Sequence, residues 1–256
     1  MKKIITLFSL FIFVVASAQL DNIASGERLQ YRIHYGLLNA GTATLTTRQT
    51  TYRGQPHLYV KGIGKTTGPV RTFFKVDDIY ESLINKNTGL PSYYVRNVKE
   101  GGYTQHLSAA FNHDNLTVYL KDRKNPANPP RTLKGVRGLQ DMLSAFYYLR
   151  DLSAAELRPG TVKNMNIWID DELFSFQLKV AGVETIITKY GSISCLKIYP
   201  TVLGGRVFKS KESVILWVSN DQNHVPIAIK AELAVGSLRA DIDHYSGVKY
   251  PLIFKN

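Results

Sequence analysis

Apolar and polar residues alternate along most of the chain, the pattern of β-strands that bury one face. In residues 28–35 the odd-numbered positions are Leu, Tyr, Ile and Tyr, and the even-numbered ones are all polar. The same alternation recurs at 42–46, 116–121, 174–180 and 225–242. Counted by this template, the sequence predicts about a dozen short strands.

Turn signals separate these runs at short intervals. Examples are Arg53-Gly54, Gly101-Gly102, Asp170-Asp171 and Asn220-Asp221. Tight turns join antiparallel neighbours, because parallel strands need long crossover connections. The fold class predicted is therefore mainly β: an antiparallel meander that forms a curled or incompletely closed barrel. Residues 19–256 contain no convincing repeat, so we expect a single mainly-β domain.

One segment has the helical period instead. Between Leu139 and Leu152 the apolar residues follow the spacing i, i+3, i+4, i+7. This spacing predicts one amphipathic helix over 141–152, with Asp141 as its cap and Arg150 near its negative C-terminal end. We expect the helix to pack against the sheet through Met142, Leu143, Phe146 and Leu149.

The segment from Lys121 to Gly138 is rich in basic residues and proline. It holds six Lys or Arg residues and one acid, a local charge of 6 − 1 = +5, together with three prolines. Because proline cannot donate to a sheet, we expect this segment to stay outside it, in solvent or against a partner. If it meets an anionic surface, the contact residues predicted are Arg123, Lys124, Arg131 and Lys134.

The first residues are typical of an export signal. Lys2 and Lys3 precede an apolar run at 4–15 and the small-residue site Ala16-Ser17-Ala18. We therefore expect residues 1–18 to be a cleaved signal peptide, and the mature chain to be secreted to the periplasm or cell envelope. An uncleaved anchor is the alternative, but the apolar run is shorter than the roughly 20 residues of a spanning helix. No Cys follows the cleavage site, so the protein is not expected to be a lipoprotein.

Charge and cysteine content refine this interpretation. The formal net charge is +12, and removing Lys2 and Lys3 leaves 30 − 20 = +10. Outside the cytoplasm the abundant polyanions are lipid head groups and acidic polysaccharides, so nucleic acid is not the expected partner. Basicity that serves only solubility is the alternative. The single cysteine, Cys195, lies in an alternating run and is expected to be a buried, unreactive thiol.

No sequence motif for catalysis is complete. Gly64-Lys65-Thr66 resembles the end of a phosphate-binding loop, but Tyr59 stands where the first glycine is needed. Gly191 to Cys195 lacks the nucleophile-elbow pattern, and the six histidines are scattered. The acids at 170–172 are expected at a turn or edge. We therefore predict no catalytic residues, no cofactor and no metal.

Three stretches carry a family resemblance. They are Gly26 to Tyr31 running to Ala40-Gly41, the helix block from Asp141 to Arg150, and Leu216 to Asp221 continuing through Pro226. In this order they resemble an exported bacterial family known as domain of unknown function 3108. The resemblance implies an exported, mainly β protein and brings no activity with it. By analogy of fold alone, it suggests an open barrel of the kind used for lipoprotein and envelope handling.

Three function classes follow. The first is a non-catalytic envelope protein that binds an amphiphilic or anionic component, a lipid or glycan, in the concavity of the sheet, with at most peripheral membrane contact. The second is a structural or assembly partner of another envelope protein. The third is an enzyme acting on envelope polymers. Within the helix, the candidate ligand- or partner-binding residues are Asp141, Ser144 and Arg150. The alternative is that they only cap the helix and complement its dipole.

Overall fold

The computed structural model describes residue 20 and residues 22–203, 214–233 and 235–255. The expected signal peptide, residues 1–18, lies outside the described residues. The described chain forms fifteen β-strands and two helices. The strands are β1 Arg28–Tyr35, β2 Leu38–Tyr52, β3 Gln55–Thr66, β4 Asp77–Asn85, β5 Pro91–Glu100, β6 Tyr103–Asn112, β7 Thr117–Asp122, β8 Arg131–Lys134, β9 Leu139–Asp141, β10 Val162–Ile169, β11 Glu172–Thr188, β12 Gly191–Leu203, β13 Val214–Ser219, β14 Pro226–Glu232 and β15 Ser237–Ser246. The helices are α1 Gly68–Phe73 and α2 Met142–Asp151.

All fifteen strands belong to one open sheet. Its order is β8-β7-β6-β5-β4-β3-β2-β1-β15-β14-β13-β12-β11-β10-β9, so two meanders are joined where β1 pairs with β15. Every pair is antiparallel except β9 with β10, which is parallel. The edges β8 and β9 are not hydrogen-bonded to each other among these strands. The predicted fold class, a mainly β antiparallel meander that curls without closing, is confirmed.

The sheet curls until its two ends overlap. Tyr94, Ala109 and Val118 of β5, β6 and β7 share one buried cluster with Leu139 of β9 and Trp168 of β10. The inner face near one edge therefore packs against strands from the other edge. In a closed barrel, backbone hydrogen bonds would join the two edge strands. Here buried apolar side chains hold the two ends of the sheet together instead.

Helix α2 lies inside the curl. Leu143 and Tyr147 pack in a cluster with Val60 of β3, while Ala145 and Leu149 belong to a second cluster with strands β10 to β13. Every residue of α2 is buried or half-buried.

The helix prediction was right in place but wrong in detail. Leu139 belongs to strand β9, and the helix runs from 142 to 151. Met142 and Phe146 are only half-buried, whereas Tyr147 is fully buried. A single apolar stripe does not describe α2, because protein surrounds it on more than one side.

The prediction that residues 121–138 stay outside the sheet is wrong for two parts, because Lys121 and Asp122 end β7 and residues 131–134 form a further strand. Arg131 to Lys134 form β8, which pairs with β7 through Val118 and Leu133. The three prolines all precede this strand, so Thr132 to Lys134 keep their N–H donors. Arg131 and Lys134 are exposed on the edge strand, where charges oppose pairing with another chain.

The turn before β8 is ordered by Asp122. Its carboxylate accepts hydrogen bonds from the backbone N–H groups of Lys124 and Asn125, at 2.9 Å each, and from the Asn128 amide. These bonds, those from Asn125 first, lower the pKa of Asp122 to about 2. The basic segment is therefore a structured turn and an edge strand, with its cations held outward.

Cys195 is fully buried in β12, as predicted. Burial raises the pKa of its thiol to about 12. Its cluster includes Leu252 near the C-terminus, and Lys255 bridges to Ser192 of β12. No helix among the described residues has the length and apolar character that a membrane crossing requires.

Candidate ligand-binding site

An apolar cavity of about 180 Å³ lies inside the curl, between α2 and five strands, β1, β2, β13, β14 and β15. Nine of its ten lining side chains are wholly apolar, and the Tyr31 hydroxyl donates its hydrogen bond to the carbonyl of Pro226 at 3.0 Å. The lining residues are Tyr31, Ala43, Leu45, Leu143, Phe146, Leu216, Pro226, Ala228, Ile229 and Ala240. A cavity of this character favours an apolar group over water.

Small residues on the strands create the cavity. Ala43, Ala228 and Ala240 each present only a methyl group to the cavity. On β3, a Cβ at Gly62 would lie 3.2 Å from Leu143 and 3.3 Å from Leu45. Gly62 therefore lets the first turn of α2 approach the sheet closely, while the alanines leave the space beyond it unfilled.

A row of paired residues leads from the cavity to a polar cluster. Leu45 pairs with Gly62, Gly62 with Tyr80, and Tyr80 with Arg96. Four neighbouring strands are involved, so Arg96 lies about 14 Å from the cavity wall. The site is thus apolar at one end and polar at the other.

The polar cluster centres on Arg96, whose side chain is only 12% exposed. Its guanidinium pairs with Asp170 and hydrogen-bonds Gln105. In the part of the chain that the structure describes, the Arg96 Nε and the buried Tyr94 hydroxyl have no hydrogen-bond partner. Burial, more than its neighbours, raises the pKa of Tyr94. Both groups can therefore donate to a ligand or to ordered water.

Two acids adjoin Arg96. Asp78 is buried and accepts a hydrogen bond from the backbone N–H of Lys99 at 3.0 Å. Burial and then the neighbouring Asp78 raise the pKa of Glu100. Its position at the start of β4 directs Asp78 inward.

Asp141 lies between this polar cluster and α2, completely buried. Its carboxylate accepts hydrogen bonds from the N–H groups of Leu143 and Ser144, at 2.8 and 2.7 Å, and from the Ser82 hydroxyl at 2.6 Å. The Ser144 hydroxyl in turn accepts from the Asp141 N–H at 2.8 Å, which completes a capping box. Burial raises the pKa of Asp141 to about 6 despite these bonds. The predicted capping role is confirmed.

Comparison with known proteins places the chain. Residues 30–243 match the family model "Protein of unknown function (DUF3108)". The chain belongs to the DUF3108 family. No curated protein matches it.

Solved structures resemble this DUF3108 chain in fold. A beta-barrel-like protein of DUF1849 from Brucella abortus superimposes with a TM-score of 0.55 at 9% identity, covering 89% of this chain and 100% of that one. A DUF1089 family protein from Pseudomonas aeruginosa gives a TM-score of 0.34 at 10% identity, covering 72% of this chain and 87% of that one. At 9% identity the first likeness supports the curled β fold and nothing more specific.

Arg150 does not join Asp141 and Ser144. Arg150 is nine positions from Asp141, so it lies on the opposite side of the helix and about 13 Å further along the helix axis. Its buried guanidinium donates two hydrogen bonds to the Glu27 carboxylate, at 2.5 and 2.7 Å, and its Nε donates to the carbonyl of Asn223 at 3.1 Å. Arg150 lies in the last turn of α2, as predicted, and its side chain forms a buried ion pair there.

Nothing in the local spacing predicts Glu27 as a partner of Arg150. The signal that could have found it is the resemblance itself, because Glu27, Arg150 and Asn223 fall in the three separate stretches quoted for the DUF3108 family. Here the three stretches meet at one buried point. They fix the last turn of α2 to β1 and to the turn between β13 and β14.

The four basic residues predicted for partner contact do not converge. Arg123 donates to the Tyr93 hydroxyl at 3.0 Å, Lys124 to the Thr104 carbonyl at 3.1 Å, and Arg131 pairs with Asp171 at 2.8 Å. Lys134 is exposed on β8. An open groove of about 520 Å³ passes Lys124 and Arg131, and its lining also includes two acids. These neighbouring acids weaken the groove as an anion site.

Proposed function

We propose that this DUF3108 protein is a non-catalytic, exported envelope protein that binds an amphiphile in the concavity of its sheet. The observation that carries the proposal is the apolar cavity between α2 and the sheet. An apolar cavity of about 150 Å³ stays dry and can hold a benzene-sized group. At about 180 Å³, this cavity accommodates a ring or a short segment of an acyl chain.

An amphiphile fits better than a wholly apolar ligand because of the polar cluster. The polar cluster lies about 14 Å from the cavity wall, a distance shorter than a long acyl chain with its head group. This cluster supplies unused donors on Arg96 and Tyr94. An anionic or hydroxyl-rich head group would satisfy these donors, as a lipid or glycolipid does.

Filling the cavity tests the proposal. In the double variant Ala43→Leu/Ala240→Leu, two leucine side chains enter a space of about 180 Å³. The probe is N-phenyl-1-naphthylamine, whose phenyl ring has the size that the cavity accommodates and whose fluorescence rises when its rings leave water. We expect enhancement with the wild type and a loss of most of it in the filled variant, because the probe and the leucines need the same volume.

The matched control is Ala155→Leu/Ala181→Leu, which makes the same chemical change at two exposed positions. Near-ultraviolet circular dichroism checks that each variant keeps its packing. Equal probe enhancement by the filled variant and the wild type would show that the cavity is not the binding site. Mass spectrometry of lipids that copurify with the wild type then identifies the natural amphiphile.

A further inference from the structure

One end of the curled sheet exposes large apolar side chains at the tips of its turns. Leu37 is fully exposed, Phe73 is 89% exposed and Val235 is 76% exposed. Leu38, Phe74 and Tyr103 are each more than half exposed. We call these six residues the apolar rim. Single exposed apolar residues are ordinary on a protein surface, but a contiguous set indicates an interaction site.

The turns that carry the apolar rim are neighbours. Gly36 N donates to Ser237 O at 3.2 Å, which joins the β1–β2 turn to the start of β15. Thr67 N donates to Ala40 O at 3.0 Å, which joins the start of α1 to β2. Phe74, just after α1, lies so close to the β5–β6 turn that a Cβ on Gly101 would be 2.9 Å from its ring. The apolar rim is therefore continuous across four adjacent connections.

The rim lies at the end of the curl that α2 does not occupy. Helix α2 runs away from the cavity to the opposite end, where Arg150 meets Glu27 and Asn223. The cavity-lining Ala43 is five residues along β2 from Leu38, about 17 Å at the rise of an extended strand. The apolar rim thus lies at the end of the curl where β2 begins, about 17 Å from the cavity wall.

The chemistry of the rim favours a lipid bilayer as its partner. The side chains stand on projecting turn tips, which enter a fluid apolar layer without needing a complementary groove. Tyr103 follows the Gly101 turn that lies against Phe74, and tyrosine is one of the aromatic residues enriched at membrane interfaces. Around α1, residues 65–77 carry Lys65, Arg71 and Lys75 against Asp77, a local charge of 3 − 1 = +2. The whole chain is also strongly basic, which suits an anionic surface.

We propose that the apolar rim inserts shallowly into an anionic lipid bilayer and brings the mouth of the curl to the membrane surface. This inference goes beyond ligand binding in the cavity and does not require a ligand to be present. It also names a different surface from the basic segment around β8. A rim that inserts apolar side chains retains part of its binding in high salt, whereas a purely electrostatic contact does not.

The test is cosedimentation with vesicles of equal parts phosphatidylglycerol and phosphatidylcholine, at low and high salt. The rim variant is Leu37→Ser/Phe73→Ser/Val235→Ser. The matched control is Val183→Ser/Ile187→Ser/Ile253→Ser, three exposed apolar residues outside the rim. We expect the wild type and the control to bind the vesicles. The partition coefficient of the rim variant should be at least about tenfold lower, because each serine removes apolar surface that would otherwise leave water on binding.

Two results would overturn the inference. One is equal partition of the rim variant and the wild type, or no vesicle binding by either. The other is a wild type that forms dimers in light scattering, becomes monomeric in the rim variant and binds no vesicles, since the rim would then be a protein interface. In vesicle-free solution the rim variant should still enhance N-phenyl-1-naphthylamine fluorescence. The vesicle assay therefore tests membrane insertion by the rim, and the fluorescence assay separately tests ligand binding in the cavity.

Discussion

The buried ion pair between Glu27 and Arg150 offers the sharpest stability prediction. The side chains of Arg150 and Glu27 are 1% and 0% exposed, and the guanidinium makes three hydrogen bonds. Arg150→Met removes all three and leaves the Glu27 carboxylate buried without a counter-charge. Removing one partner of a buried pair costs about 3–5 kcal/mol. We expect the free energy of unfolding to fall by about 4 kcal/mol, a large share of the stability of an ordinary domain.

The double variant Glu27→Leu/Arg150→Met separates charge from packing. It removes both charges and fills the space with apolar atoms, so it should lose less than the single variant, about 2 kcal/mol or less. The control is Lys230→Met, which breaks the partly exposed pair with Glu232 at 2.6 Å and should cost at most about 1 kcal/mol.

Urea unfolding followed by the fluorescence of Trp168 and Trp217 measures each free energy, and an unchanged m-value validates the comparison. The reasoning is refuted if Arg150→Met loses less than about 1 kcal/mol, the range of an exposed pair. It is also refuted if the double variant is less stable than the single one, because the buried charge would then not be the main cost.

Three further predictions follow from the site and the surface. Burial raises the pKa of Asp141 from 3.8 to about 6, so its contribution to stability should be largest below pH 4 and fall by about 3 kcal/mol as pH rises through 6. The variant Asp141→Asn keeps the cap acceptor but cannot titrate, so the free energy of unfolding measured from pH 4 to pH 7 should lack this fall. The same pH dependence in the variant and the wild type would contradict the prediction. Cys195 should resist a thiol reagent at pH 8 until the protein unfolds, since burial raises its pKa to about 12, and rapid labelling in the native state would contradict its burial. Vesicle binding that resists high salt should be unchanged when the four cations of the basic segment are neutralised; these are Arg123, Lys124, Arg131 and Lys134. Loss of that binding would show that the basic segment, and not the apolar rim, contacts the membrane.

Local patterns in the sequence determined many of the elements, though not β8 or α1. The period of two along 28–35 and 174–180 gives strands in β1 and β11, because side chains on a strand alternate between faces. The capping role of Asp141 also followed from sequence, since a cap is a contact within one turn. The burial of Cys195 followed from its place in an alternating run. These features depend on neighbours only a few residues away.

Only the tertiary structure decided how these elements meet. Glu27 and Arg150 are 123 positions apart, and the carbonyl of Asn223 comes from a third distant turn. The cavity depends on small side chains at Ala43 and Ala240, which look like ordinary strand positions until α2 is placed beside them. The apolar rim likewise exists because the pairing of β1 with β15 brings separate turns to one end. Hydrophobic period specifies which face of a strand is buried, but the partner of that face is set by long-range packing, which local spacing does not encode.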